Sequence, residues 1–99
     1  MKRATAVLLS LALASCATSS AYRAGEKAER QRDYDRAVRE YAKAVQEDPD
    51  NDGYRQGLRR ARLRASEAHG ATGRRLAGRG LYKEALDELR LALDLNPGS

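Results

Sequence analysis

The sequence predicts an all-α protein built from two antiparallel helical hairpins with a long extended helix between them. The first observation is an internal repeat, because residues 34–49 recur as residues 82–97. In both copies the apolar residues follow the spacing i, i+1, i+4, i+7, i+8, which places them on one face of an α-helix. Pro49 and Pro97 end these helices, since proline cannot donate a backbone hydrogen bond and restricts the residue before it. Self-similarity of this kind is typical of stacked units that bury each other's apolar faces.

The first residues have the composition of an export signal. Lys2 and Arg3 precede an apolar run over residues 4–13. This run is too short to cross a bilayer, which needs about 20 helical residues, and it fits the apolar part of a signal peptide. The run ends in Leu13-Ala14-Ser15-Cys16, which resembles the bacterial lipobox. That resemblance implies a lipoprotein signal peptide over residues 1–15, lipid attachment at Cys16 and a lipidated tether over residues 16–20.

The same resemblance implies a location. Several acyl chains on one residue anchor a protein durably, whereas one chain binds marginally. Ala17 follows Cys16, and no Asp is present there to favour the inner membrane. We therefore expect a lipid-anchored protein of the outer membrane that faces the periplasm. The alternative is an ordinary signal peptide with an incidental cysteine.

The first hairpin is expected over residues 21–51. Its first helix should extend to about residue 31, with Gly25 and Ala28 on the inner face. Asp33 is the expected N-cap of the second helix, because its carboxylate can accept hydrogen bonds from the free amides of the first turn. Pro49 then ends that helix.

The two hairpins resemble the tetratricopeptide repeat. In the first unit the matching residues are Gly25, Ala28, Tyr34, Ala37, Val38, Tyr41, Ala44, Val45 and Pro49. In the second unit, residues 66–99, they are Gly73, Leu76, Gly80, Tyr82, Ala85, Leu86, Leu89, Ala92, Leu93 and Pro97. The resemblance implies a fragment of a right-handed α-solenoid whose first helices line a concave surface for a protein segment. The residues that this implies for partner binding are Tyr22, Glu26, Glu29, Arg30 and Arg74.

Residues 52–65 form a basic insertion between the two units. The insertion contains five arginines. No proline occurs between residues 52 and 78, so one continuous helix over residues 52–78 is predicted. Three glycines inside it, Gly57, Gly70 and Gly73, should bend or fray it, because each costs about 1 kcal/mol relative to alanine. The arginines are either a solvated face, a contact for anionic lipid phosphates beside the anchor, or a contact for an acidic protein partner. They are Arg55, Arg59, Arg60, Arg62 and Arg64.

No pattern in the chain points to catalysis, a metal or a cofactor. The acidic turn at residues 48–53 resembles the start of a calcium loop, but Arg59 stands where the closing glutamate is needed, so Asp50 or Asn51 is expected to cap the next helix. His69 is the single histidine and is expected to pack. Without Lys2 and Arg3, the 19 basic residues fall to 17 against 14 acidic ones, which argues against nucleic acid as a partner.

Taken with the two resemblances, these observations predict a non-catalytic, lipid-anchored scaffold that holds an envelope protein at the periplasmic face of the outer membrane. The leucine-rich last helix leaves an apolar face that a longer chain or a homo-oligomer would cover. The alternative is the amino-terminal part of a secretin-like protein of type II secretion or type IV pilus assembly. Its resemblance is carried by the arrangement and by Tyr54-Arg, Arg60-Ala-Arg-Leu-Arg-Ala-Ser66 and Leu86-Asp-Glu-Leu.

Overall fold

The computed structural model describes residues 19–98, and within this range the protein consists of four helices without a strand. They are α1 (Ser20–Arg30), α2 (Tyr34–Glu47), α3 (Asp52–Gly78) and α4 (Tyr82–Leu95). The predicted all-α class is confirmed, as is the single long helix over residues 52–78. The predictions for residues 1–15 and for Cys16 lie outside the described residues.

Polar side chains cap the amino-terminal ends of the first three helices. The Ser19 hydroxyl accepts a hydrogen bond from the Tyr22 amide at 3.3 Å, and the Asp33 carboxylate accepts one from the Arg36 amide at 3.3 Å. The Asn51 side chain accepts one from the Tyr54 amide at 3.0 Å. These bonds satisfy amides that have no partner inside the helix, so Asp33 and Asn51 cap the helices as the sequence predicts.

The two hairpin turns have the same geometry. At the first, the Asp33 amide donates to the Ala28 carbonyl at 2.9 Å across Arg32, whose φ is 58°. At the second, the Leu81 amide donates to the Leu76 carbonyl at 3.0 Å across Gly80, whose φ is 79°. Both turns are therefore left-handed helix ends, a conformation that glycine adopts without cost and arginine does not.

The core of the first hairpin is built around Tyr41. Its ring is fully buried between two helical glycines, Gly25 of α1 and Gly57 of α3. A Cβ atom at Gly25 would lie 2.7 Å from the ring and one at Gly57 would lie 2.9 Å from it. The absence of these side chains lets α1, α2 and α3 close on the ring.

The second hairpin is packed more thinly. Helix α4 runs antiparallel to α3, and the Ser66 hydroxyl donates to the Ala92 carbonyl at 2.8 Å. Leu89 fits over Gly73, where a Cβ would lie 2.8 Å from the leucine Cγ. The predicted fraying at the glycines does not occur, because α3 is continuous and Gly57 and Gly73 are sites of close helix contact. The buried residues of α4 are alanines, Leu89 and Leu95 are half-buried, and its remaining large side chains are exposed, namely Tyr82, Leu86, Leu91 and Leu93.

Candidate functional site

An open groove runs between α3 and α4 on the second hairpin. It has a volume of about 490 Å³ and is lined by Leu63, Ser66, Glu67, Gly70, Arg74, Leu89, Ala92, Leu93 and Asn96. We call it the α3–α4 groove. Its volume lies in the range of sites that accept ligands, and its walls are mainly apolar. Leu63 is 45% exposed and Leu93 is 50% exposed, so both leucines are available to another molecule.

The groove forms because small residues leave space between the two helices. Gly70 contributes bare backbone, and Ala92 contributes only a methyl group. The guanidinium of Arg74 lies beside Gly70, where a Cβ would be 3.4 Å from the arginine Nη1. Glu67 lies on the other charged part of the rim and pairs with Arg64 at 3.7 Å. The groove is therefore an apolar surface between one basic and one acidic group.

The first hairpin has a network of charged and polar groups where α1, α2 and α3 meet, formed by Glu29, Tyr41 and Arg60. Arg60 donates from Nε and Nη2 to the two carboxylate oxygens of Glu29, both at 2.7 Å, and the Tyr41 hydroxyl donates to the same carboxylate. The hydrogen bond from Arg60 lowers the pKa of Glu29 against the opposing effect of burial. Burial, and then the bond to Glu29, raises the pKa of Tyr41. These groups join α1, α2 and α3, so Glu29 and Arg60 are held by each other.

The structure does not bring the five residues predicted for partner binding into one surface. Tyr22 stacks on Tyr54 with ring centroids 4.8 Å apart and packs at a tilt against Tyr41 at 5.5 Å. Glu26, Glu29 and Arg30 lie together, around a shallow depression that Arg60 completes. Arg74 lies apart from them, in the α3–α4 groove.

The five arginines of the insertion fall into two groups. Arg55 pairs with Asp52, Arg60 with Glu29 and Arg64 with Glu67. Arg59 and Arg62 have no ion-pair partner among the described residues. Both line a cleft of about 350 Å³ with Leu63, Leu95 and Asn96, and we call this the arginine cleft. A basic segment that looks uniform in sequence is therefore paired at three positions and open at two.

His69 connects three helices by hydrogen bonds, a role that goes beyond the packing expected from the sequence. Its Nδ1 lies 2.5 Å from the Glu88 carboxylate of α4, and its Nε2 lies 2.9 Å from the Asp35 carboxylate of α2. The hydrogen bond with Glu88, followed by that with Asp35, raises the pKa of His69 against the effect of burial. Nothing local in the sequence signals this bridge, because both carboxylates are distant along the chain.

Two further findings concern the residues that the structure describes. Over 19–98, no group of three or more His, Cys, Asp and Glu side chains is placed to hold a metal ion. In the same range, none of the four helices combines the length and the apolar character needed to cross a membrane.

Over residues 19–98, the fold and the groove define an all-helical protein with an exposed apolar surface. The family model that describes the plant-specific mitochondrial import receptor subunit TOM20 matches residues 3–90. This match covers most of the chain, and the chain belongs to that family. No curated protein and no solved structure matches it.

Family membership corrects several predictions. The interpretation as a bacterial tetratricopeptide lipoprotein is wrong, and so is the secretin-like alternative, because the match is to a mitochondrial import receptor. The predicted envelope partners and the periplasm-facing outer-membrane location are wrong for the same reason. The lipobox is four residues of small or apolar type at the end of an apolar run. Such a short pattern says little about compartment, whereas the family match includes that run, the first hairpin and the second hairpin as far as residue 90, within α4.

Proposed function

We propose that this chain is a receptor subunit for protein import at the mitochondrial outer membrane, and that it binds a segment of the imported protein in the α3–α4 groove. The observation that carries the proposal is the groove itself, an exposed apolar surface between α3 and α4. Family membership supplies the class of ligand, since an import receptor recognises proteins that are to be imported. The proposed role is binding without catalysis.

The apolar lining of the groove suits the apolar face of a helix. Leu63, Leu89 and Leu93 present side chains from both walls, and Gly70 allows close approach to the α3 backbone. An amphipathic helix that lies in a groove contributes anchor residues at positions i, i+3, i+4 and i+7. Burial of apolar surface contributes about 25 cal/mol per Å², part of which offsets the cost of association. A groove this open favours weak, reversible binding, which suits a receptor that must release the protein it binds.

We also propose that the hairpins at residues 21–51 and 66–99 are tetratricopeptide-like units separated by a helical insertion at residues 52–65. Two sets of equivalent contacts support this. The left-handed turn at Arg32 corresponds to that at Gly80, and the fit of Tyr41 over Gly25 corresponds to that of Leu89 over Gly73. Because these two features recur at equivalent positions, they support one type of structural unit for both hairpins.

The proposed site is tested with a fluorescent synthetic mitochondrial targeting peptide and the full-length chain, by anisotropy titration. Leu93→Gln should weaken binding about tenfold, equivalent to about 1.4 kcal/mol. Leu86→Gln is the matched control, since Leu86 is on the same helix and 47% exposed but does not line the groove. We expect the control to bind within about twofold of the unchanged protein. Equal losses in both variants, or no binding of the peptide to the unchanged chain, would contradict the proposal.

A further inference from the structure

The arginine cleft differs from the α3–α4 groove in its charge. Arg59 and Arg62 are one turn apart on α3, so their side chains leave the helix on the same face. Neither makes an ion pair within the described residues, whereas the other three arginines of the insertion do. The carboxyl end of α4 carries partial negative charge, which favours guanidinium groups near it. Two unpaired cations are thus held at the edge of a cleft.

The cleft also has an apolar part. Leu63 and Leu95 line it together with the two arginines. A neighbouring depression on the other side of Arg62 continues the surface through Arg39, Val38 and Leu91. Two carboxylates line this depression, Asp35, which is bonded to His69, and Asp94. The surface is therefore basic and apolar, with cations in excess.

We propose that the arginine cleft binds an acidic, amphipathic segment of a partner protein, with two carboxylates on Arg59 and Arg62 and an aliphatic side chain against Leu63 and Leu95. Guanidinium groups bind carboxylates in paired hydrogen bonds, which gives both affinity and orientation. The arginine cleft shares Leu63 and Asn96 with the α3–α4 groove but differs from it in charge, since the rim of the groove has Arg74 and the paired Glu67. The acidic segment proposed here differs in charge from the apolar helix face proposed for the α3–α4 groove.

The shape of the site favours a polypeptide over an anionic bilayer. The two leucines line a cleft of about 350 Å³ between α3 and the end of α4, and a concave site of this kind suits a side chain of a polypeptide. A bilayer presents a broad surface of headgroups and would recruit the paired arginines of the same helix equally, because its field acts over about a Debye length, roughly 8–10 Å. A peptide with spaced carboxylates would depend on Arg59 and Arg62 alone. This difference separates the two ligands experimentally.

The test uses the full-length chain and a fluorescent peptide that places Glu and Leu at helical spacing, with a Glu→Gln peptide as the uncharged control. The double variant Arg59→Gln/Arg62→Gln is compared with Arg55→Gln/Arg64→Gln, which removes the same charge from the same helix. The first variant should weaken binding about tenfold or more, and the second less than about threefold. Added salt should weaken binding of the acidic peptide, and the uncharged peptide should not bind. Helicity by circular dichroism should be unchanged in both variants, since all four side chains are exposed.

Other outcomes overturn the proposal. Equal losses in the two double variants would mean that diffuse positive charge attracts the peptide. Binding to phosphatidylglycerol vesicles but not to the acidic peptide would identify a lipid surface instead. Leu93→Gln should leave binding of the acidic peptide unchanged, because Leu93 does not line the arginine cleft. The test of this proposal can therefore fail or succeed separately from the test of peptide binding in the α3–α4 groove.

Discussion

The packing around Tyr41 predicts that Gly57→Ala destabilises the protein, although alanine is the better helix former. In an exposed helix this substitution would stabilise by about 1 kcal/mol. At Gly57 the new Cβ would lie 2.9 Å from Cε1 and 3.0 Å from Cδ1 of the Tyr41 ring, well inside the usual carbon–carbon contact of about 3.5–4.0 Å. Movement of the ring is restricted, because Gly25 also contacts its Cδ1 and Cε1 atoms and Glu29 accepts a hydrogen bond from its hydroxyl.

The magnitude follows from these opposing effects. Overpacking of a full core costs about 1–3 kcal/mol, of which the gain in helix propensity offsets about 1. We expect a net loss of about 1–2 kcal/mol, and each 1 kcal/mol lowers the melting temperature by about 4–8 °C in a domain of this size. Thermal unfolding of the full-length chain, followed by circular dichroism, measures the shift.

Gly78→Ala is the matched control, since it lies at the end of the same helix and has no atom within 4 Å of the added Cβ. It should raise the melting temperature. Combining Gly57→Ala with Tyr41→Leu should remove most of the cost of the alanine, because the ring that it meets is gone. If Gly57→Ala stabilises the protein as much as Gly78→Ala does, the proposed close packing of α2 against α3 is wrong.

Three further predictions concern polar groups and a turn. Arg32→Gly should raise the stability by about 0.5–1 kcal/mol in thermal unfolding, because residue 32 has the positive φ that Gly80 adopts freely; a drop would contradict the turn geometry. Glu29→Gln should cost about 1–3 kcal/mol in urea unfolding, since Arg60 loses its charged partner, and the lowered pKa of Glu29 means that its contribution falls as pH falls. The pKa of His69 is raised, so its bridge should stabilise fully below the unfolded histidine pKa of about 6.5 and weaken as pH rises through the folded pKa. The difference in melting temperature between the unchanged chain and His69→Gln should therefore shrink towards alkaline pH, and a constant difference would refute this.

The helices could be predicted from sequence because their signals are local. The apolar spacing, the two prolines and the caps at Asp33 and Asn51 each act within a few residues. The long α3 could be predicted because no proline interrupts it. The prediction that the glycines would fray α3 was wrong, since helix propensity describes an isolated helix. In this fold Gly57 and Gly73 allow close contact with Tyr41 and Leu89.

The site depends on contacts between distant residues, and sequence patterns did not reveal it. Glu29 and Arg60 belong to different helices. From the sequence alone, each is a candidate for binding a partner, whereas in the structure they form an ion pair with each other. The two carboxylates that pair with His69 likewise belong to other helices, Asp35 to α2 and Glu88 to α4, so their proximity depends on how the helices pack. The excess of leucine in α4 did signal an exposed apolar face, but the groove that uses it needs the small residues of α3 opposite.

The proposed binding site can be tested most directly by site-specific photocrosslinking. A benzophenone amino acid placed at position 93 or at position 86 of the full-length chain is irradiated with a labelled mitochondrial targeting peptide. We expect the probe at Leu93, inside the α3–α4 groove, to capture the peptide, and the probe at Leu86, on the same helix but outside the groove, to capture little. Equal capture at both positions, or capture at position 86 alone, would contradict binding in the groove.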